Sequence, residues 1–190
     1  MYYKMRIGTY AVFNGITFIL FNNSPDSNEW ILSGFVADFL QIHKEKSLIK
    51  RFCISKDDYP FIIPESVENT DSKEYECGHL SITPDLLENA YSTKYYCEYN
   101  GDVLKCAYSE ERRTFSLDLG ENEELCRRYG IGDVYDRYIG SRGYECFNDL
   151  WIVVPEDEVL DVWEQRSPIK GFPFHGPERV YVRKDGVWLR

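Results

Sequence analysis

A chain of 190 residues with 43% hydrophobic and 16% aromatic side chains can bury a sizeable core, which excludes a disordered tail or a low-complexity linker. Its 22 basic and 32 acidic residues leave a formal net charge of −10, which repels phosphate backbones and anionic lipid and favours a basic protein partner over nucleic acid or a membrane. Met1–Arg6 is followed by no apolar h-region and the longest apolar runs, such as Phe18–Phe21, are about four or five residues, so a soluble, cytoplasmic protein is expected.

The first element is a hairpin, Tyr10 to Leu20, turning on Asn14-Gly15, because a type I′ turn needs two residues at positive φ. Both of its faces are largely apolar, which predicts cover on both sides. The turn-rich Asn22–Asn28 leads to a third strand at Glu29–Ser33, ended by Gly34, and a short helix is predicted over Val36–Ile42. Leu48–Ile54 reads as strand and 57–73 as a Pro-interrupted loop region. Tyr75-Glu76-Cys77 then leads to Thr83-Pro84-Asp85, whose cap, proline and acid predict a helix from Pro84 to Ala90.

A second hairpin, Tyr95 to Cys106, turns on Asn100-Gly101, and a third, Val180 to Leu189, on Asp185-Gly186. The turn glycines lie 86 and then 85 residues apart (101 − 15 and 186 − 101). After the second hairpin come a strand at Thr114–Leu117 and a helix within Gly120–Gly130, with acids in its first turn, bases in its last and glycine as the stop. Tyr144-Glu145-Cys146 echoes Tyr75-Glu76-Cys77. The strand Leu150–Val154 leads into Pro155-Glu156-Asp157, from which a helix is predicted with Val159, Val162 and Trp163 on one stripe. The order repeats, so the sequence predicts an α+β fold of two similar tandem units, residues 1–92 and 93–190, each an antiparallel sheet led by a hairpin with short helices. In the last hairpin Arg183 falls opposite Trp188, a cross-strand cation–π pair.

No residue pattern for catalysis stands out. The six cysteines (Cys53, Cys77, Cys97, Cys106, Cys126 and Cys146) contain no Cys-x-x-Cys, and Cys77-Gly78-His79 stands alone, so buried free thiols are expected rather than a zinc site or disulfides. Cys97 falls diagonal to Cys106 across the second hairpin, a poor geometry for a bridge. His43, His79 and His175 are dispersed, and Gly130-Ile131-Gly132 lacks the rest of a dinucleotide fingerprint. The expectation is a non-enzyme without cofactor or metal.

The charge is uneven. Residues 57–89 hold nine acids and one base, 145–164 seven acids and no base, and 166–190 six bases and two acids. Glu145, Asp149, Glu156, Asp157, Glu158 and Asp161 form the best single group for binding a basic protein, since unbalanced charge speeds association. Tyrosines beside acids, as in Tyr95-Tyr96-Cys97-Glu98-Tyr99, also suit a protein interface.

Three stretches, Gly8–Gly15, Val154–Arg166 and Tyr181–Trp188, make the chain resemble bacterial immunity proteins encoded beside polymorphic or contact-dependent toxins. That resemblance implies a cytoplasmic, non-catalytic protein whose partner is a cognate toxin C-terminal domain, basic in character. The alternative is a non-catalytic interaction module with another partner.

Overall fold

The computed structural model describes residues 5, 8–22, 29–42, 48–55, 74–140 and 150–189. The elements are β1 (Gly8–Phe13), β2 (Ile16–Asn22), β3 (Trp30–Phe35), α1 (Val36–Ile42), β4 (Lys50–Ser55), β5 (Glu74–Ile82), a 3-10 turn (Pro84–Leu86) and β6 (Asn89–Tyr99). There follow β7 (Asp102–Ser109), β8 (Thr114–Asp118), α2 (Glu123–Arg128), α3 (Gly132–Gly140), β9 (Trp151–Pro155), a second 3-10 turn (Glu156–Glu158), β10 (Val162–Pro168), β11 (Arg179–Lys184) and β12 (Val187–Trp188). The fold is mostly antiparallel sheet with a few short helices, an α+β arrangement.

All three Asx-Gly turns form. Asn14 and Gly15 sit at φ of 48° and 77°, Asn100 and Gly101 at 50° and 84°, Asp185 and Gly186 at 48° and 77°. Two successive positive φ values match the right-handed twist of the strands they join, and they fix the pairs Phe13 with Ile16, Tyr99 with Asp102 and Lys184 with Val187.

The chain forms two compact units. The N-terminal unit comprises Arg6–Lys94 and Arg166–Glu178; the C-terminal unit comprises Met1–Met5, Tyr95–Gln165 and Arg179–Arg190. A tandem division at 92/93 is expected from sequence. The observed divide falls between Lys94 and Tyr95, inside β6, and each unit also takes chain from the far side of it.

In the N-terminal unit the strands run β6, β1, β2, β3, β5, β4, with Asn89–Thr93 of β6 paired to β1. One face carries Ala11, Phe13, Phe18, Leu20, Leu32, Leu80 and Ile82, all buried, and α1 lays Phe39 against Phe18 with ring centroids 4.4 Å apart. Each buried Phe, Leu or Ile side chain contributes about 1.5–3 kcal/mol. On the other face Phe35, Tyr75 and Cys77 are buried beside Ile54. Gly34, expected to end the third strand, lies inside β3 opposite Gly78. Small size explains its place: a Cβ on Gly34 would stand 2.7 Å from the Phe18 ring, and one on Gly78 would stand 2.7 Å from an Ile49 methyl.

In the C-terminal unit Tyr95–Tyr99 of β6 pairs with β7, followed by β8 and β9, while β10 flanks the other edge of β6 and leads to β11 and β12. Its core holds Tyr95, Cys97, Leu104, Cys106, Phe115, Leu117, Val162 and Val182, capped by Cys126 of α2. The Asn122 side chain accepts from the Leu125 amide and starts α2, and Gly130 follows at φ 78°.

Two predicted helices are corrected. Pro84 to Ala90 is only a 3-10 turn, after which Asn89–Tyr99 is strand; Thr83 makes no side-chain cap, and pairing with β1 captures Asn89–Thr93. The helix after Pro155 is likewise one 3-10 turn, and Val162 and Trp163 belong to β10, paired with β11. Val159 still packs inward, because the turn ends on it. The second helix of the α2–α3 pair has no counterpart in the sequence reading. The 57–73 loop and Tyr144-Glu145-Cys146 lie outside the described residues.

Gly34→Ala is expected to lower stability by about 1–3 kcal/mol, because the added methyl meets an aromatic ring already stacked on Phe39. Urea denaturation measures this, and a change within about 0.5 kcal/mol would show that Phe18 yields without loss of packing.

Candidate functional site

Pro155 closes β9, and the 3-10 turn that follows carries Glu156 back toward the last hairpin. Both carboxylate oxygens are engaged there. Oε1 accepts from Arg183 Nη1 at 3.0 Å and Trp188 Nε1 at 2.7 Å; Oε2 accepts from Tyr108 OH at 2.9 Å and Arg113 Nε at 3.0 Å. Arg183 also donates to the carbonyls of Val159 at 2.8 Å and Glu156 at 3.2 Å, and its guanidinium lies 5.2 Å from the Trp188 ring centre. The cross-strand register of Arg183 and Trp188 read from the sequence is the observed one. The Glu156 and Arg183 side chains are only 11% and 6% exposed.

Burial by itself would raise the Glu156 pKa. Hydrogen bonds from Trp188, Arg113 and Tyr108 and the Arg183 charge outweigh it and hold the carboxyl below its ordinary value. Burial, then the bond to Glu156, pushes Tyr108 up to about 12. Asp161 is also held low: burial opposes, but the ammonium of Lys184 and the Asp185 amide, at 2.9 Å, prevail.

Of the six acids expected to bind a partner, Glu156 and Asp161 are engaged by internal pairing. Glu158 is exposed and accepts from Tyr99 OH at 2.8 Å, and Asp157 is exposed. Glu145 and Asp149 lie outside the described residues. No sequence signal marks the partners of Glu156, since Tyr108, Arg113, Arg183 and Trp188 are 27 to 48 positions away.

Two other surfaces of the C-terminal unit emerge. One is an open notch of about 670 Å³ lined by Glu121, Asn122, Glu123, Glu124, Arg127 and Tyr135. Glu123 pairs with Arg127 at 2.9 Å and Glu124 with Arg128 at 2.7 Å, both at the exposed surface. The other is the sheet face opposite the core. There Tyr181, Trp163, Tyr96, Lys105, Asp118 and Trp151 form a row across six strands. Arg179 lies 4.3 Å from the Trp163 ring, Lys184 4.8 Å from Tyr181 and Lys105 5.6 Å from Trp151. Beside the row, Val103, Val153 and Val187 are 60%, 66% and 62% exposed. No alternation of apolar and polar residues marks such a face in sequence, since β9 is Trp-Ile-Val-Val-Pro throughout; only register assembles the row.

Elsewhere, His79 stands between Phe21 and Phe52, with centroids at 5.2 and 4.5 Å, and burial followed by the Lys50 charge lowers its pKa. Cys77, Cys97, Cys106 and Cys126 are buried free thiols, whereas Cys53 is exposed. Burial, with the nearby Cys53, pushes Cys77 up to about 11; a hydrogen bond with Cys97 and burial push Cys106 up. Among the described residues no three His, Cys, Asp or Glu side chains gather as a metal site. No helix among them is long and apolar enough to cross a membrane.

Comparison with protein-family profiles, with curated proteins and with solved structures finds no match.

Glu156→Ala is expected to cost about 3–5 kcal/mol, because it strands the buried Arg183 charge, while Asp157→Ala is expected to stay within about 0.5 kcal/mol. A carboxyl held below its unfolded value contributes stability that is complete above that value and is lost as pH falls through the folded one. Wild-type stability is therefore expected to fall on acidification below about pH 4.5, and the fall to be shallower in Glu156→Gln. Tyr108 acts at the other end, its contribution being lost as pH rises from about 10. Equal urea midpoints for Glu156→Ala and Asp157→Ala would remove this account of the network.

Proposed function

We propose that this chain is a non-catalytic immunity protein that binds and neutralises a cognate bacterial toxin, using an acidic surface against a basic toxin domain. The observation that carries the reading is the notch at the start of α2, where Glu121, Glu123 and Glu124 surround a concavity with one guanidinium, Arg127, and one phenol, Tyr135. The concavity has room for a lysine or arginine side chain of a partner. Its surface ion pairs are worth about 0–1 kcal/mol each, so the carboxylates can exchange an internal cation for an incoming one at little cost. The net charge of −10 adds long-range attraction for a basic domain. On this reading the acidic contact is Glu121–Glu124, and Glu156 and Asp161 serve the fold through their internal pairs.

The tandem origin of the two units belongs to the same proposal. A three-strand meander, helix, returning strand and proline-led 3-10 turn occur in the order β1–β3, α1, β5, Pro84–Leu86, with β4 inserted between α1 and β5, and again, without a counterpart of β4, as β6–β8, α2 and α3, β9, Glu156–Glu158. Leu87 and Val159 end the two turns and are both buried. Superposing β1–β3 on β6–β8 in a crystal structure is expected to bring Leu87 onto Val159; a landing on unrelated elements would end the duplication reading.

The binding proposal is tested with the toxin domain encoded beside this chain's gene. Glu121→Lys with Glu124→Lys is expected to slow association at low salt by about tenfold or more and to flatten its salt dependence, with unchanged melting. An unchanged association rate would move the interface elsewhere, and the absence of any toxin-encoding neighbour would remove the immunity reading.

A further inference from the structure

We infer that the open sheet face of the C-terminal unit is a self-association surface, and that its occupant is a second copy of this chain. This goes beyond the immunity reading and does not depend on it. The chain as a whole carries −10, so two copies repel over most of their surfaces. The open face is different. Its cations are Lys105, Arg179 and Lys184, each set against an aromatic ring, and its anions are Glu98, Asp118 and Asp161. Glu98 shares the face with Tyr96, two residues away on β6, and its amide donates to the Asp161 carbonyl. Among the described residues of the C-terminal unit three charges of each sign cancel, and Lys94, exposed on the same face of β6 just before the divide, adds one positive charge, so a second copy meets no net negative charge there.

The order of residues along the row supplies complementarity. Read across the strands it runs Tyr181, Trp163, Tyr96, Lys105, Asp118, Trp151. A twofold axis lying in the face and crossing the row at its centre reverses that order in the second copy. Trp151 of one copy then meets Tyr181 of the other, and Asp118 meets Arg179, which lies over the Trp163 ring, itself only 3% exposed. Opposite charges and aromatic pairs are matched by one operation, as an isologous contact requires. Val103, Val153 and Val187 supply exposed β-branched surface around the row, suited to two pleated sheets packing about 10 Å apart. Tyr, Trp and Arg are also the side chains that most often carry binding energy at interfaces.

Six strands spaced about 4.8 Å apart make the face about 24 Å wide. That is a modest footprint, so the dimer is expected to be concentration-dependent rather than permanent.

Analytical ultracentrifugation of the full chain over a wide concentration range tests the inference. Wild type is expected to pass from the chain mass to twice that mass as concentration rises. Val153→Glu and Val103→Glu, each at a well exposed position, are expected to stay at the chain mass throughout with unchanged melting. Leu86→Glu, an equally exposed apolar site in the N-terminal unit, is expected to dimerise as wild type does. Wild type remaining at the chain mass at the highest concentration would overturn the inference. So would a dimer that survives both valine substitutions, or one lost equally in Leu86→Glu. Toxin neutralisation by the valine variants is a separate reading: its retention or loss leaves the mass measurement, and hence this conclusion, unaffected.

Discussion

A guanidinium that has left water must find its acceptors inside the protein, and in the C-terminal unit Arg183 finds them on Glu156 and on the carbonyls of Glu156 and Val159. The consequences spread from there. Glu156 can face Arg183 only if the chain after Pro155 tightens into a single turn, which ends on the buried Val159 and leaves Val162 and Trp163 to enter β10. The same carboxylate accepts the Trp188 indole, and so ties β12 to the aromatic group of Tyr108 and Phe115. One ion pair thus fixes the turn, the start of a strand and the docking of the last hairpin.

This pairing also divides the acidic residues by role. A carboxylate that is buried and bonded four times has no capacity left for a partner, however negative its neighbourhood looks in a linear charge count. Carboxylates at an exposed surface pair keep theirs, because little is lost when a competing cation arrives. The acids at the start of α2 are of the second kind. Counting charge along the chain cannot separate the two kinds, since separation depends on burial and on distant donors.

What was legible in the sequence was mostly local. The three Asx-Gly turns are set by backbone sterics at two adjacent residues, and α1 by the spacing of Phe35, Phe39 and Ile42, so both appear where the residues place them. The misread segments, Asn89–Ala90 and Val162–Trp163, are those whose structure is imposed by strands far away in the chain, β1 and β11. Gly34 illustrates the same limit, because its role is set by a ring sixteen positions earlier on a neighbouring strand. In the candidate surfaces, individual tyrosines beside acids were visible as interface-like residues. The row from Tyr181 to Trp151 was not, because it exists only through five successive strand registers.

The division of the chain carries a consequence for synthesis. The N-terminal unit includes Arg166–Glu178, and that segment supplies Phe172 against the Trp30 ring at 4.7 Å, the Pro173 carbonyl to the Ala90 amide at 2.8 Å, and the His175 backbone to both ends of the Asn89 side chain. On a ribosome adding about 5–20 residues per second, these partners arrive several seconds after Lys94. During that interval the nascent chain holds the unit's other strands without the piece that closes it, with an indole and a strand edge still open to water. Arg166–Glu178 therefore completes a unit whose other strands are made long before it, and a ribosome that stalls short of that segment leaves a product that is long but sticky.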